Sequence, residues 1–304
     1  MANLKELRNR INTVKSTEKI TSAMKMVSAS RLRRSQQLLL KSLTYYDNLL
    51  IAAARMDKAL KREAEDSGKP LVLPELLQGT GKSEKYLLVV FASDRGLCGG
   101  YNIGVVKEAV KRIEELKDKE VKVVAVGKKT KDILKRTHED LIIEDIEGIA
   151  AKNVRYDETM ALFDKVLKIM KENEFDVCEL VYSKFISALL RNVLCERLYP
   201  MKIDDIAEEK QYLAEDNFNG AYYDYEPDIN KVFDYTLEML EKTYFYQALI
   251  NSQASEHGAR MASMDNATRN ANDMILKLRL KYNRIRQSAI TTELTEIISG
   301  AEAI

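Results

Sequence analysis

Cysteine and histidine are scarce in this chain: Cys98, Cys178 and Cys195, with His138 and His257, are all it has. An odd number of cysteines without a CxxC pair, two of them in apolar surroundings, suits buried thiols in a reducing cytoplasm. Each histidine stands apart from other ligand types, so no metal site is spelled out. Long apolar runs are missing too. The longest, LLVVFA at 87–92, falls far short of the roughly 20 residues that span a bilayer, so any membrane link goes through partners. The opening residues, MANLKELRNRINTVK, lack the apolar core of a secretory signal and enter a helical pattern at once, which reads as mature sequence. Net charge is almost absent at +1, yet that balance hides segregation. Residues 1–62 hold fourteen Lys/Arg against four Asp/Glu, and residues 201–241 hold three Lys against twelve Asp/Glu. A basic end and an acidic patch follow.

Glycine and proline are absent from residues 1–67, and from Asp228 to Ile304 there is no proline and only Gly258 and Gly300. In the first stretch Leu4, Leu7, Ile11 and Val14 repeat at three and four. After a polar middle the spacing returns at Leu39, Leu43, Tyr46, Leu50, Ala53 and Leu60. In the last stretch it runs through Ile275, Leu278, Tyr282, Ile285, Ala289 and Thr292. Both are the a/d signature of a helix packed along one seam. The first helix, of about 55 to 60 residues, would extend roughly 80 to 90 Å, ending near EDSGKPLVLP. Two such helices at opposite ends of a chain pair as an antiparallel coiled coil.

Between them, strand-length apolar runs alternate with amphipathic stretches: YLLVVFA, VKVVAV, LIIEDI and CELVYSKF against 103–117, 128–137 and 153–173. That alternation predicts βαβ units around a largely parallel, Rossmann-like sheet. The expected fold is an α/β domain inserted into a coiled coil: an N-terminal helix over 1–67, a linker over 68–84, the α/β domain over 85–205 and a C-terminal helix over 206–304.

Two short motifs suggest nucleotide chemistry and both lack parts of it. GTGKS at 79–83 has Leu76 where a P-loop needs its first glycine, and its strand follows the motif instead of preceding it. FASDRGLCGGYNIG at 91–104 joins a strand to a helix, as a dinucleotide turn does. Read from Gly96, however, GxGxxG meets Cys98 and Tyr101, and no acidic residue closes the next strand. Asp94, Arg95 and Cys98 have no histidine nearby in sequence to activate the thiol. A nucleotide-binding oxidoreductase is thus one alternative. A nucleic-acid-binding coiled coil is another, because KSTEKITSAMKMVSASRLRR at 15–34 is strongly basic. The same stretch suits anionic lipid, an acidic protein partner or a solvated face, and no aromatic side chain is interleaved before Tyr45.

ITSAMKMVSASRLRR, SDRGLCGGYN, YEPD at 225–228, SEHGARMASMDNAT at 255–268 and YNRIRQSAITTELTEIISGAEAI, in that order over nearly the whole chain, resemble the gamma subunit of F-type ATP synthases. The resemblance implies a non-catalytic rotor shaft inside a hexamer of alternating alpha and beta subunits. The α/β domain would lie outside that hexamer, near the epsilon subunit and the ring of c subunits, on the cytoplasmic face of a bacterial cell membrane. Proton flow through the c ring would drive ATP synthesis on alpha and beta. It implies no cofactor and no nucleic-acid partner. By family position, Met24 would lie near the lower opening of the hexamer and Arg260 against an acidic lever of beta. Arg286, Gln287 and Thr291 would contact a beta loop near the tip, and AYYDYEPD, with Tyr225 and Glu226, would dock on the c ring. The cysteine-pair insert of chloroplast relatives is missing.

Overall fold

The computed structural model describes residues 2–68, 70, 73–149, 154–202 and 224–302. Helix α1 runs Ala2–Ser67, followed by the short α2 (Glu75–Gln78). Strands β1 (Lys85–Phe91), β2 (Glu120–Val126) and β3 (Ile142–Ile146) alternate with helices α3 (Tyr101–Glu115) and α4 (Lys128–Leu134). Helix α5 (Tyr156–Glu172), β4 (Val177–Phe185) and β5 (Arg191–Tyr199) follow, and α6 (Ile229–Glu302) closes the described chain. Much of the acidic stretch 201–241, and the first three residues of AYYDYEPD, lie outside the described residues.

The chain divides into two compact units, residues 1–30 with 260–304 and residues 31–259. In the first, α1 and α6 pack antiparallel. Thr21 Oγ1 lies 2.8 Å from Thr268 Oγ1 and Lys25 pairs with Asp265 at 2.6 Å, so one number falls as the other rises. Leu7 and Ile11 are buried on one side, Met264, Ala271 and Ile275 on the other. Leu278, Tyr282, Ile285 and Ala289 stay half-buried. This is the heptad seam that the sequence predicts, save that Thr292, its last predicted position, is exposed where no partner segment of α1 covers α6. From Ile290 to Ser299 every residue of α6 is exposed, including Ile290, Leu294, Ile297 and Ile298.

In the second unit five strands form one sheet in the order β3-β2-β1-β4-β5, with β1, β2, β3 and β4 parallel and β5 antiparallel to β4. The sequence reading foresees the four parallel strands and omits β5. This edge strand carries Arg191, Glu196 and Arg197 and is mostly half-buried, so it lacks the apolar run that betrays its neighbours. Each face of the sheet has its own core. Leu87, Val89, Phe91, Leu180 and Tyr182 pack with Phe163 of α5 and Phe245 and Leu249 of α6. Leu88, Val90 and Val181 pack with Val105 and Ala109 of α3. A third cluster joins Tyr46, Leu50 and Met56 of α1 to Phe233, Leu237 and Leu240 of α6.

The polar middle of α1 proves to be a seam of small residues. Thr21, Ser28, Ser35 and Ser42, seven apart, are all buried. Thr21, Ser28 and Ser42 each donate their hydroxyl to a carbonyl of their own helix, one turn back. That local bond lets a polar side chain occupy a core position without an unmade hydrogen bond.

Candidate functional site

The motif SDRGLCGGYN closes on itself. Ser93 is fully buried; its amide donates to Asn102 Oδ1 at 3.0 Å, and its hydroxyl is 2.8 Å from the same oxygen and 2.6 Å from the Arg95 carbonyl. Asn102 Nδ2 approaches Cys98 Sγ at 3.2 Å. Asp94 Oδ1 accepts from the amides of Lys128 and Gly148, tying the turn after β1 to those after β2 and β3. Gly127, at φ 95°, is the one residue type that fits its place, because a Cβ there would sit 2.4 Å from the Ala92 carbonyl oxygen.

In a doubly wound sheet the ligand crevice opens at the carboxyl ends of the strands where the winding reverses. Here that point lies between β1 and β4, and α6 fills it. Ser252 Oγ is 2.9 Å from the Phe91 carbonyl at the end of β1. Ser255 Oγ is 2.9 Å from the Ser183 carbonyl, and the Phe185 amide donates to Asn251 Oδ1 at 3.2 Å, both near the end of β4. Tyr101, from the glycine turn, reaches over with its hydroxyl 2.6 Å from Ser252 Oγ and 3.0 Å from the Ser252 carbonyl. Burial pushes the Tyr101 phenol well above its usual range, and the charge of Glu256 adds to the rise. Gly258 permits the close approach of the β4–β5 hairpin, since a Cβ there would be 3.3 Å from the backbone of Ala188.

The opposite face of this segment holds α1. Gln253 Oε1 accepts from the Ser35 hydroxyl at 3.1 Å, and Gln247 Nε2 donates to the Ser42 carbonyl at 3.0 Å. Residues 247–260 of α6 are therefore buried on every side although more than half are polar. Of these residues the sequence singles out Arg260, within SEHGARMASMDNAT, by family position alone; the burial of Gln247, Asn251, Ser252, Gln253 and Ser255 is not foreseen, because a helix without an apolar stripe reads as exposed. The one signal available was the run NSQASEH at 251–257 in a helix that cannot be surface-facing if it packs on both α1 and the sheet.

The second motif, GTGKS, anchors the linker. Asp176 accepts from the Thr80 hydroxyl at 2.7 Å and from the amides of Glu84 and Lys85 at 3.0 Å. Burial raises the Asp176 carboxyl, but these donors outweigh it and hold the group below the usual range. Lys82 is exposed. Under α3, Arg112 grips the buried carboxylate of Glu179 with two bonds of 2.7 Å. The three cysteines are unbridged, with Cys98 and Cys178 buried and Cys195 half-buried.

The residues singled out by family position are dispersed. Met24 is half-buried on α1, its carbonyl accepting from Ser28. Arg260 is buried on α6. Tyr225 packs against the Tyr46–Leu237 cluster just before α6, with Glu226 exposed beside it. Arg286, Gln287 and Thr291 lie exposed within two turns of α6, the Thr291 hydroxyl bonding the Gln287 carbonyl at 2.9 Å.

The fold defines a class of chain in which an α/β domain is inserted between two long helices that pair as a coiled coil, one of them packed over the ends of β1 and β4. Comparison with known proteins makes the family specific. The profile of the ATP synthase family matches residues 3–304. The ATP synthase gamma chains of Maricaulis maris and Paracoccus denitrificans are 46% and 42% identical over the whole of both chains. Among solved structures, a chain of the central stalk and c ring of Tetrahymena thermophila mitochondrial ATP synthase is 27% identical, covers 82% of this chain and 99% of its own, and aligns with a TM-score of 0.57. A rotor chain of the Euglena gracilis mitochondrial enzyme, 17% identical over 95% and 99% of the two chains with a TM-score of 0.62, shares the fold. The chain belongs to the ATP synthase gamma-chain family, and its role is that of the central stalk.

Proposed function

We propose that this chain is the non-catalytic shaft that couples proton flow through a ring of c subunits to ATP synthesis or hydrolysis on a hexamer of alpha and beta subunits, with epsilon beside its foot. The observation that carries the reading is α6: one helix, Ile229–Glu302, plugs the sheet where an enzyme would bind its ligand and then supplies one strand of the coiled coil. Its far end, bare from Ile290 to Ser299 and rich in apolar side chains, suits a sleeve formed by other subunits. Arg286, Gln287, Thr291, Met24 and Arg260 make the contacts with the hexamer, and Tyr225 and Glu226 those with the c ring.

Work is transmitted by differential contact. A shaft face that binds one conformation of a beta subunit better than another shifts that subunit's nucleotide affinity, and turning the shaft moves the preference to the next subunit. No single contact can be strong, because whatever stabilises one angle must be given up to leave it. Among the described residues no helix is long and apolar enough to cross a membrane, and we place the chain peripherally, on the cytoplasmic face of a bacterial cell membrane, held there by its partners.

The test is reconstitution. The purified chain alone should hydrolyse no ATP above a protein-free blank; added to alpha and beta subunits it should raise their ATPase activity, and the complex with membrane sector should pump protons into vesicles. Hydrolysis by the chain alone, or no effect on alpha and beta, would sink the proposal.

A further inference from the structure

Near the start of α6, Glu241 is 1% exposed, and among the described residues its Oε1 has no hydrogen-bond partner. No ion pair reaches it among the described residues. The nearest cation on its own helix, Lys242, is paired with Glu238 instead. Lys171, at the end of α5, acts on it only through space. On the sheet side its charge acts on Cys178 at the start of β4 and on Tyr199 at the end of β5, and the charges of Glu75 and Asp176 act on Tyr199 as well. One cation at a distance, one engaged elsewhere and an adjacent acid make a poor home for a carboxylate.

We infer that Glu241 is a proton-operated latch: protonated, it seats α6 against the start of β4 and the end of β5, and ionised, it drives that contact open. Burial pushes its carboxyl up to about 7, with the Glu238 charge adding to the rise and Lys242 and Lys171 opposing it. A raised carboxyl stabilises the closed form fully below its ordinary value near 4.5, and the gain is lost as pH climbs towards 7. Opening thus grows about tenfold per pH unit across that window and levels off above it. The latch belongs to the packing of this chain and would operate with or without partner subunits.

Cys178, fully buried beside Glu241, is the built-in reporter, because it reacts with a thiol reagent only when the contact opens. The full chain and Glu241→Gln are labelled with N-ethylmaleimide at matched pH and Cys178 is read by peptide mass spectrometry. The thiolate fraction of the open form is common to both and cancels in the ratio of rates. That ratio, wild type over variant, should rise about twentyfold between pH 5.5 and 7.5 and then stay level, as follows from carboxyl values near 4.5 open and about 7 closed. A ratio that does not change with pH overturns the inference. Should Glu241→Gln fail to fold, carbon-13 NMR of glutamate carboxyls in the wild-type chain decides instead. One carboxyl titrating near 7 supports the latch, and none titrating above about 5.5 overturns it.

Discussion

Replacing Tyr101 by Phe removes one hydroxyl from the place where the glycine turn meets α6, and the structure allows its cost to be worked out. Ser252 Oγ keeps the Phe91 carbonyl, 2.9 Å away, as acceptor, and the Ser252 carbonyl keeps its place in the helix ladder, so nothing is left buried without a partner. The loss is then that of a net hydrogen bond, about 1 kcal/mol, which lowers the melting temperature of a unit of this size by about 2–4 °C. Ser252→Ala removes the same 2.6 Å contact and also the donor to Phe91, for about 1–2 kcal/mol. Because either change abolishes the shared bond, the double variant should cost less than the sum by about 1 kcal/mol. Urea unfolding of the purified chain measures all four corners of the cycle. Additivity within about 0.3 kcal/mol would mean that the turn and α6 are not joined by this bond, and the account of the plugged crevice would lose its central contact.

Gly127→Ala should be among the most damaging single changes, about 2 kcal/mol or more, because it combines a positive φ with a Cβ 2.4 Å from a carbonyl oxygen; thermal melts that match wild type would refute this. Alanine at Arg286, Gln287 or Thr291, each exposed in this chain, should leave most ATP synthesis in membrane vesicles, since an exposed polar contact is worth about 0.5–1.5 kcal/mol. Ile285→Pro, by contrast, removes a helix bond and kinks α6 at a cost of about 3 kcal/mol, and should abolish synthesis; equal synthesis by Ile285→Pro and Arg286→Ala would show that this end of α6 is not a stiff shaft. Charge reversal at Glu226 or a bulkier residue at Tyr225 should reduce protons pumped per ATP while sparing ATP hydrolysis by the soluble sector, and a full pumping yield would remove these two residues from the foot.

The long helices were legible because their causes are local. Seventy-odd residues without proline, with apolar side chains at three and four, can form little else, and α6 indeed runs unbroken from Ile229 to Glu302. Strands β1, β2 and β4 were legible because strands covered on both faces read as apolar runs, and the edge strand β3 through the short apolar start of LIIEDI. Family motifs then carried the functional reading. What the tertiary structure alone decided is where polar groups are buried. Tyr101 and Ser252 stand 151 residues apart, and Ser35 and Gln253 stand 218 apart. A serine or glutamine that will be satisfied by a distant partner looks in sequence like one satisfied by water. For the same reason the heptad of Thr21, Ser28, Ser35 and Ser42 reads as a polar interruption when it is the seam continued, and Glu241 reads as a surface acid when it is sealed between α6 and the sheet. Propensity and periodicity report a residue's own preference; burial of a polar atom is a property of the pair, and it exists only once the chain has folded.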